Sequence, residues 1–179
     1  MNLYLRLLKV LLLLPFVRRR GVLDESRLGF RVWPTDCDLN LHMNNGRYLT
    51  FMDLGRVHLI AQLGLLATLL KRRWSPVLSA AEINFIRPLG PYRAFTLVTR
   101  VLTWDEKYFY IEQRFERDGR LCAVGMVRGL FLHGREKVAP GEPLRVLGVE
   151  TPAPPMPEIV RHWNDLTALK KQHAARSGR

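Results

Sequence analysis

The hydrophobic pattern of the domain opens with a period of two. In "RLGFRVW", residues 27–33, Leu28, Phe30 and Val32 alternate with Arg27, Gly29 and Arg31, which predicts a half-buried strand ending at Pro34. From about Asn44 the chain turns apolar on nearly all sides, through "NNGRYLTFMDLGRVHLIAQLG" to a stop at Gly64. A helix that is greasy on most faces is a buried one. Gly55 removes a side chain on its line Phe51–Gly55–Leu59, where another backbone can approach closely. A second short helix over about 65–72 leads to Trp74.

Strand periods then follow one another. "PVLSAAEINFIRP" sets Val77, Ala81, Ile83 and Phe85 on or near one face, and "RAFTLVTRVLTW" alternates Phe95, Leu97 and Val101 with polar positions. "KYFYIEQRF" points Phe109, Ile111 and Phe115 inward and Tyr108, Glu112 and Arg114 outward. "RDGR" at 117–120 is an Asp-Gly hairpin turn that returns the chain into "LCAVGMVRGLFLH". One strand, a buried helix and four strands on short turns predict an α+β fold with an antiparallel sheet around the helix. The Pro-rich "TPAPPMP" at 151–157 reads as a linker. Beyond it, "EIVRHWNDLTALKKQH" spaces Ile159, Trp163, Leu166 and Leu169 as an amphipathic helix.

The N-terminal "MNLYLRLLKVLLLLPFVRRR" stands apart. Its uninterrupted apolar run, Val10 to Val17, is far short of the roughly 20 residues a bilayer span needs. As a helix it sets Arg6 and Lys9 on one face and Leu3, Leu7, Leu11 and Leu14 on another. Two readings stand side by side: a helix in a membrane interface with Arg18, Arg19 and Arg20 at the headgroups, or one packed on the protein's own surface or a partner. A cleaved secretory signal fits less well, because charges interrupt its apolar region and no small-residue cleavage site follows. The chain divides into an N-terminal amphipathic segment (1–22), a domain (23–145), and the linker with its C-terminal helix and basic tail (146–179).

A length of 179 residues suits one domain with extensions, and 47% hydrophobic residues mark it as globular. The net charge of +12 changes the picture only through its location. Residues 1–20 carry +5 and residues 160–179 carry +4, leaving +3 for the whole middle. Basic tails argue for an anionic membrane surface and against a nucleic-acid groove built on the fold. Cys37 and Cys122 are too few for a disulfide scaffold and suit a reducing cytosol, although a single bridge is compatible with the count.

The chemistry concentrates in "PTDCDLNLHMNNGRYL", residues 34–49. Asp36 and Asp38 follow a strand, and Asn44 and Asn45 open a buried helix. A carboxylate is thereby brought towards unpaired N–H groups at a helix N-terminus, which can hold a carbonyl oxygen as it becomes an oxyanion. The carboxylate can attack that carbonyl or deprotonate a water. Asp, Asn and His are also ordinary turn and capping residues, and a loop capped by Asn44 fits the same spacing.

The run Asp-Cys-Asp followed by His42-Met43-Asn44-Asn45 and Tyr48 resembles the signature of hotdog-fold acyl-CoA thioesterases of the 4-hydroxybenzoyl-CoA thioesterase type. "INFIRPL" is similar to the strand after the central helix, and the likeness runs over roughly residues 27–134. The hydrophobic N-terminus, "VLTWDEKYFYIEQRF" and the final Pro–Trp helix bring the chain nearest to the thioesterase superfamily member 6 group. The resemblance implies a sheet wrapped around a long central helix. It implies Asp38 as the catalytic carboxylate and the backbone N–H of Asn45 as the oxyanion donor. Asp36, His42 and Asn44 then shape the loop and cap the helix, and Tyr48, Phe85 and Arg87 are candidates for substrate contact. Many members have Gly where this chain has Leu41; if the loop needs φ > 0, Asn40 is the nearest tolerant residue. Arg87 and Arg93 are candidates for coenzyme A phosphates or simply solvated strand ends.

The implied function is hydrolysis of a fatty or aromatic acyl-CoA, with no metal and no cofactor beyond the coenzyme A of the substrate. A homodimer or homotetramer is expected, with the site finished by a second subunit. The location is expected to be cytoplasmic, with a peripheral place at the inner face of a membrane as an option. The rival is a non-catalytic acyl-CoA or lipid-binding hotdog protein at a membrane surface. The five His residues show no metal-ligand spacing with the cysteines. Asp53 and Arg56 read as an intrahelical pair, and His58 as a satisfied core or interface residue.

Overall fold

The computed structural model describes residues 3–150 and 152–177; expectations that fall on Met1, Asn2, Thr151, Gly178 and Arg179 lie outside it. In chain order the elements are α1 (Leu3–Leu13), β1 (Ser26–Arg31), α2 (Asn45–Leu63), α3 (Leu66–Arg72), β2 (Trp74–Phe85), β3 (Ala94–Trp104), β4 (Phe109–Arg117), β5 (Arg120–His133), β6 (Glu136–Val138), α4 (Gly141–Val146) and α5 (Glu158–Ser177). The strands form one antiparallel sheet in the order β1-β3-β4-β5-β2, with β6 folded back on β5. The sheet curls around α2, the hotdog arrangement that the sequence resemblance implies. β6 and α4 were not foreseen; both follow the reversal at Gly134, whose φ of 61° suits glycine.

Helix α2 begins and ends where its caps dictate. The Asn44 side chain accepts the N–H of Gly46, and Gly64 closes the helix in the left-handed region at φ 84°. Gly55 is needed for contact: a Cβ there would lie 2.7 Å from both Leu97 Cδ2 and Thr99 Oγ1. Beneath it sits Gln113, fully buried at 0% exposure, whose Nε2 donates to the Met52 carbonyl (2.9 Å) and to Thr99 Oγ1 (3.0 Å). Its Oε1 accepts from Arg56 Nη1 (2.7 Å), and Arg56 also pairs with Asp53 as expected. Helix and sheet are therefore joined by a satisfied polar network inside an apolar contact. Phe51, Phe95 and Phe115 pack edge-on and tilted around the first half of α2; Leu59, Trp104 and Phe131 fill the second half.

Two amphipathic assignments change. Of the expected α5 stripe, Trp163 is buried but Ile159, Leu166 and Leu169 are exposed, and the helix packs Val160 with Trp163 against Tyr110 and Met126 on the outer sheet face. Arg128 fixes the contact by donating to Asn164 Oδ1 (2.8 Å). The Pro-rich segment is held as well, since Thr103 Oγ1 donates to the Pro154 carbonyl (2.7 Å). In α1, Arg6 points inward at 4% exposure beside buried Val10, whereas Leu11 is exposed; Leu7 and Leu14 are half-buried, as the apolar face requires. The Leu3 side chain lies outside the described part. A helix with leucines on every side has no single apolar face, so tertiary partners choose which one is buried.

Between β1 and α2 the chain makes a one-turn 3-10 helix, Pro34–Asp36, and then a narrow reversal. Cys37 and Met43 pair as an isolated antiparallel bridge. Inside it Asp38 N donates to His42 O (2.9 Å) and Leu41 N to Asp38 O (3.0 Å). Such a tight return needs one residue at positive φ, and that residue is Leu41 (φ 56°), not Asn40. Cys37 and Cys122 are separate free thiols, so no bridge joins them.

Two outcomes follow from these packing features. Leu41→Gly relieves a left-handed leucine and raises unfolding stability by about 0.5–1 kcal/mol in urea titration, whereas Leu41→Val lowers it. His58 is buried on α2 with Nδ1 2.8 Å from Ser26 Oγ, and burial, helped by the charge of Arg20, pushes its pKa below 6.5. Its contribution is full above pH 6.5, where folded and unfolded rings are both neutral, and is lost as pH falls through the folded value. The melting temperature therefore drops on acidification from pH 7.5 to 5.5, by less in His58→Asn.

Candidate active site

The two aspartates of the loop live in different surroundings. Asp36 is 1% exposed and its carboxylate is fully engaged. Arg6 donates to it through Nη1 (2.8 Å to Oδ1) and Nη2 (2.5 Å to Oδ2), and the backbone N–H of Trp33 donates to Oδ2 (2.8 Å). Its own carbonyl accepts the N–H of Asn44 (2.8 Å). Asp38 is half-buried and bonded only within the loop, where Oδ1 accepts from Asn40 N (2.9 Å). Its second oxygen makes no hydrogen bond among the described residues. One carboxylate is held by structure, and the other is left with an oxygen to spare.

Asn44 is the N-cap, with Oδ1 taken by Gly46 N (2.9 Å) and its carbonyl by Arg47 N (2.8 Å). Asn45 is the first residue of α2, and its N–H has no hydrogen-bond partner among the described residues. Partial positive charge gathers at such an end, and an oxyanion is the complementary guest. The bridge Cys37–Met43 runs Asp38 back beside His42, two residues before the cap. His42 gives the loop its carbonyl, and the residue itself is exposed. Met43 is buried, its N–H bound to Leu89 O (2.8 Å), which ties the loop to the segment after β2.

Tyr48 lies in the core against Phe85 and Phe115, with ring centroids 5.0 and 4.9 Å away. Burial, with a smaller effect of Cys122, pushes its hydroxyl up to about 12, so it stays neutral and packs. Phe85 is half-exposed at the end of β2, and Arg87 beyond it is exposed, donating to Leu121 O (2.7 Å). Arg87, Arg117 and Arg120 frame an open cleft with Asp118 and Cys122. Arg93 lies outside that group, at the entry to β3.

A separate apolar cavity of about 380 Å³ opens at the other end of α2. Val57, Ile60, Leu78, Ile111, Leu130 and Leu144 line it, with Asp53 and Arg56 alongside. Among the described residues, its lining includes none of the Asp38 loop. Sequence reasoning missed this cavity, and it missed Arg6 and Gln113 as well. Gln113 had a signal: it falls on the inward line Phe109–Ile111–Gln113–Phe115, where an apolar residue was due.

The chain is similar to known proteins in sequence and in fold. The chain is 34% identical over 150 residues to Protein THEM6 of Danio rerio, covering 80% of this chain and 71% of that one. It is 31% identical over 160 residues to Protein THEM6 of Drosophila melanogaster, covering 88% and 81%. Its fold is like that of a 1,4-dihydroxy-2-naphthoyl-CoA thioesterase from Synechocystis (TM-score 0.62, 13% identity, covering 71% of this chain and 97% of that one). Residues 32–164 match the model of the thioesterase-like superfamily, and with the Asp-x-Asp loop and capped central helix in place, the chain belongs to that superfamily.

Proposed function

We propose that this protein hydrolyses acyl-CoA thioesters, with Asp38 as the reacting carboxylate and the N–H of Asn45 as the oxyanion donor. The observation that carries the reading is the pairing of a carboxylate oxygen and a helix-start N–H, both without hydrogen-bond partners among the described residues, at the two ends of one tight loop. Two courses fit this pair. In the first, Asp38 attacks the carbonyl carbon, the coenzyme A thiolate leaves, and water cleaves the acyl-aspartyl anhydride to return the carboxylate. In the second, Asp38 takes a proton from a water that attacks directly; the C–S bond of the tetrahedral adduct then breaks, and the leaving coenzyme A thiolate takes the proton back from Asp38. In both, negative charge grows on the carbonyl oxygen, where the Asn45 N–H and the α2 dipole stabilise it more than the ground state.

The apolar cavity supports a fatty or aromatic acyl group. Asp53 lies eight residues beyond Asn45, about 12 Å along α2. Among the described residues, strand β2 is an edge of the sheet. Antiparallel pairing of two β2 edges would set Pro76–Leu78 of one copy, beside the cavity, near Phe85 of the other, which packs on Tyr48 in the first turn of α2. A homodimer or higher homo-oligomer would thus complete each site with a cavity from its neighbour. Arg87, Arg117 and Arg120 suit the coenzyme A phosphates.

A second reading, non-catalytic lipid or acyl-CoA binding at a membrane, is favoured by one observation. Leu5, Leu8, Leu12 and Phe16 (84% exposed) point away from the domain, next to exposed Arg18, Arg19 and Arg20. Among the described residues no single helix is long and apolar enough to cross a membrane, so contact would be interfacial.

Thiol release from a panel of acyl-CoAs separates the readings. Asp38→Asn is expected to lose about 10²–10⁴-fold in kcat while still binding acyl-CoA. Equal silence of wild type and variant, with binding kept, favours the non-catalytic reading. Co-sedimentation with anionic vesicles tests the surface: Leu8→Glu/Leu12→Glu should stay in the supernatant where the wild type pellets, and unchanged binding contradicts membrane contact.

A further inference from the structure

Arg6 is the one cation of α1 that faces the domain, and it is buried at 4% exposure. Its guanidinium meets both oxygens of Asp36 at 2.8 and 2.5 Å, lies 4.5 Å over the Phe51 ring, and donates to the Arg31 carbonyl at 3.2 Å. Replacing a buried ion pair by apolar residues of similar volume is often neutral for stability, so stability alone gives little reason for it. What a forked pair supplies is geometry: two parallel bonds fix the plane and direction of the carboxylate.

That carboxylate is the point from which the site hangs. Asp36 holds the Trp33 N–H on one side and, through its carbonyl, the Asn44 N–H on the other. Asp38 is two residues further along the chain, and Asn45 is one residue beyond Asn44. A tilt of Asp36 therefore moves the reacting carboxylate and the oxyanion donor relative to each other. Catalysis by such pairs loses rate steeply with misplacement of about 1 Å.

We propose that Arg6 is a positioning residue for thioester hydrolysis: through its forked pair with Asp36 it sets the distance between the Asp38 carboxylate and the Asn45 N–H, which makes the N-terminal helix part of the active site. The inference rests on the reading of Asp38 and Asn45 given above. It assigns to residues 3–13 a role that membrane contact by their outer face does not explain.

The test compares wild type, Arg6→Lys, Asp38→Asn and the double variant Arg6→Met/Asp36→Asn, which removes both charges together so that none is left buried alone. Acyl-CoA turnover and amide hydrogen exchange over residues 34–47 are both measured. The double variant should keep KM within twofold, lose at least tenfold in kcat, and speed exchange at the Asp38 and Asn44 amides at least tenfold, with β3–β5 unchanged. Arg6→Lys, which keeps the charge but not the fork, should fall between. If the double variant does not fold, Arg6→Lys decides by the same two readouts. A kcat within twofold of wild type with unaltered loop exchange, or a change confined to KM, overturns the proposal. Full turnover by Asp38→Asn would instead remove the catalytic reading of Asp38. Where no thioester is turned over, loop exchange alone decides whether Arg6 holds the loop.

Discussion

A carboxylate removed from water must be paired or give up its charge, and the arrangement around Asp36 follows from that requirement. Its partner comes from outside the domain, thirty residues earlier in the chain. Because Arg6 must reach Asp36, α1 lies against the opening of α2 with Val10, Leu7 and Leu14 entering the core. The same choice turns Leu5, Leu8 and Leu12 outward. Removing one member of a buried pair costs roughly 3–5 kcal/mol, so the helix and the loop are bound to one another's presence.

Around that fixed point the loop separates two tasks that look alike on paper. Asp36 spends both oxygens on Arg6 and the backbone of Trp33, and Asp38 spends one on the turn it closes. The helix that follows opens on a capping side chain, Asn44, and beside it the Asn45 N–H, which has no partner among the described residues. Family membership adds the reaction class to this arrangement, and among the described residues one Asp38 oxygen and the Asn45 N–H are left without a hydrogen-bond partner. Below the site, Gln113 and Gly55 bring the helix down onto the sheet, so the N–H is carried by a rigid element.

Much of this was legible from periodicity and caps. The strands at Phe30, Phe95 and Phe115, the Asp-Gly hairpin, the Asn44 cap, the Gly64 stop and the close approach at Gly55 each have a local cause, and each stands where its local cause put it. The Asp-x-Asp loop was legible as a motif, and its backbone bridge and helix cap match that reading. What escaped depends on contacts far apart in sequence. Arg6 looked like the polar face of a surface helix, since nothing within its own turn names Asp36 as its partner. The α5 leucines follow a helical period yet stay exposed, because Val160 and Trp163 meet the sheet first. Leu41 takes the positive φ since the Cys37–Met43 bridge closes around it, and this outweighs the tolerance of Asn40. The cavity at the far end of α2 is walled by α2, α4 and strands β2 to β5 together and has no signature in any one of them.

In a productive complex a thioester carbonyl would sit between Asp38 and the N–H of Asn45. A crystal structure with an acyl-CoA analogue, its thioester sulfur replaced by methylene to leave an uncleavable ketone, measures this directly. The ketone oxygen is expected about 3 Å from Asn45 N, with the Asp38 carboxylate facing the carbonyl carbon. A ketone oxygen turned away from the start of α2, with the acyl-CoA lodged elsewhere, would contradict it.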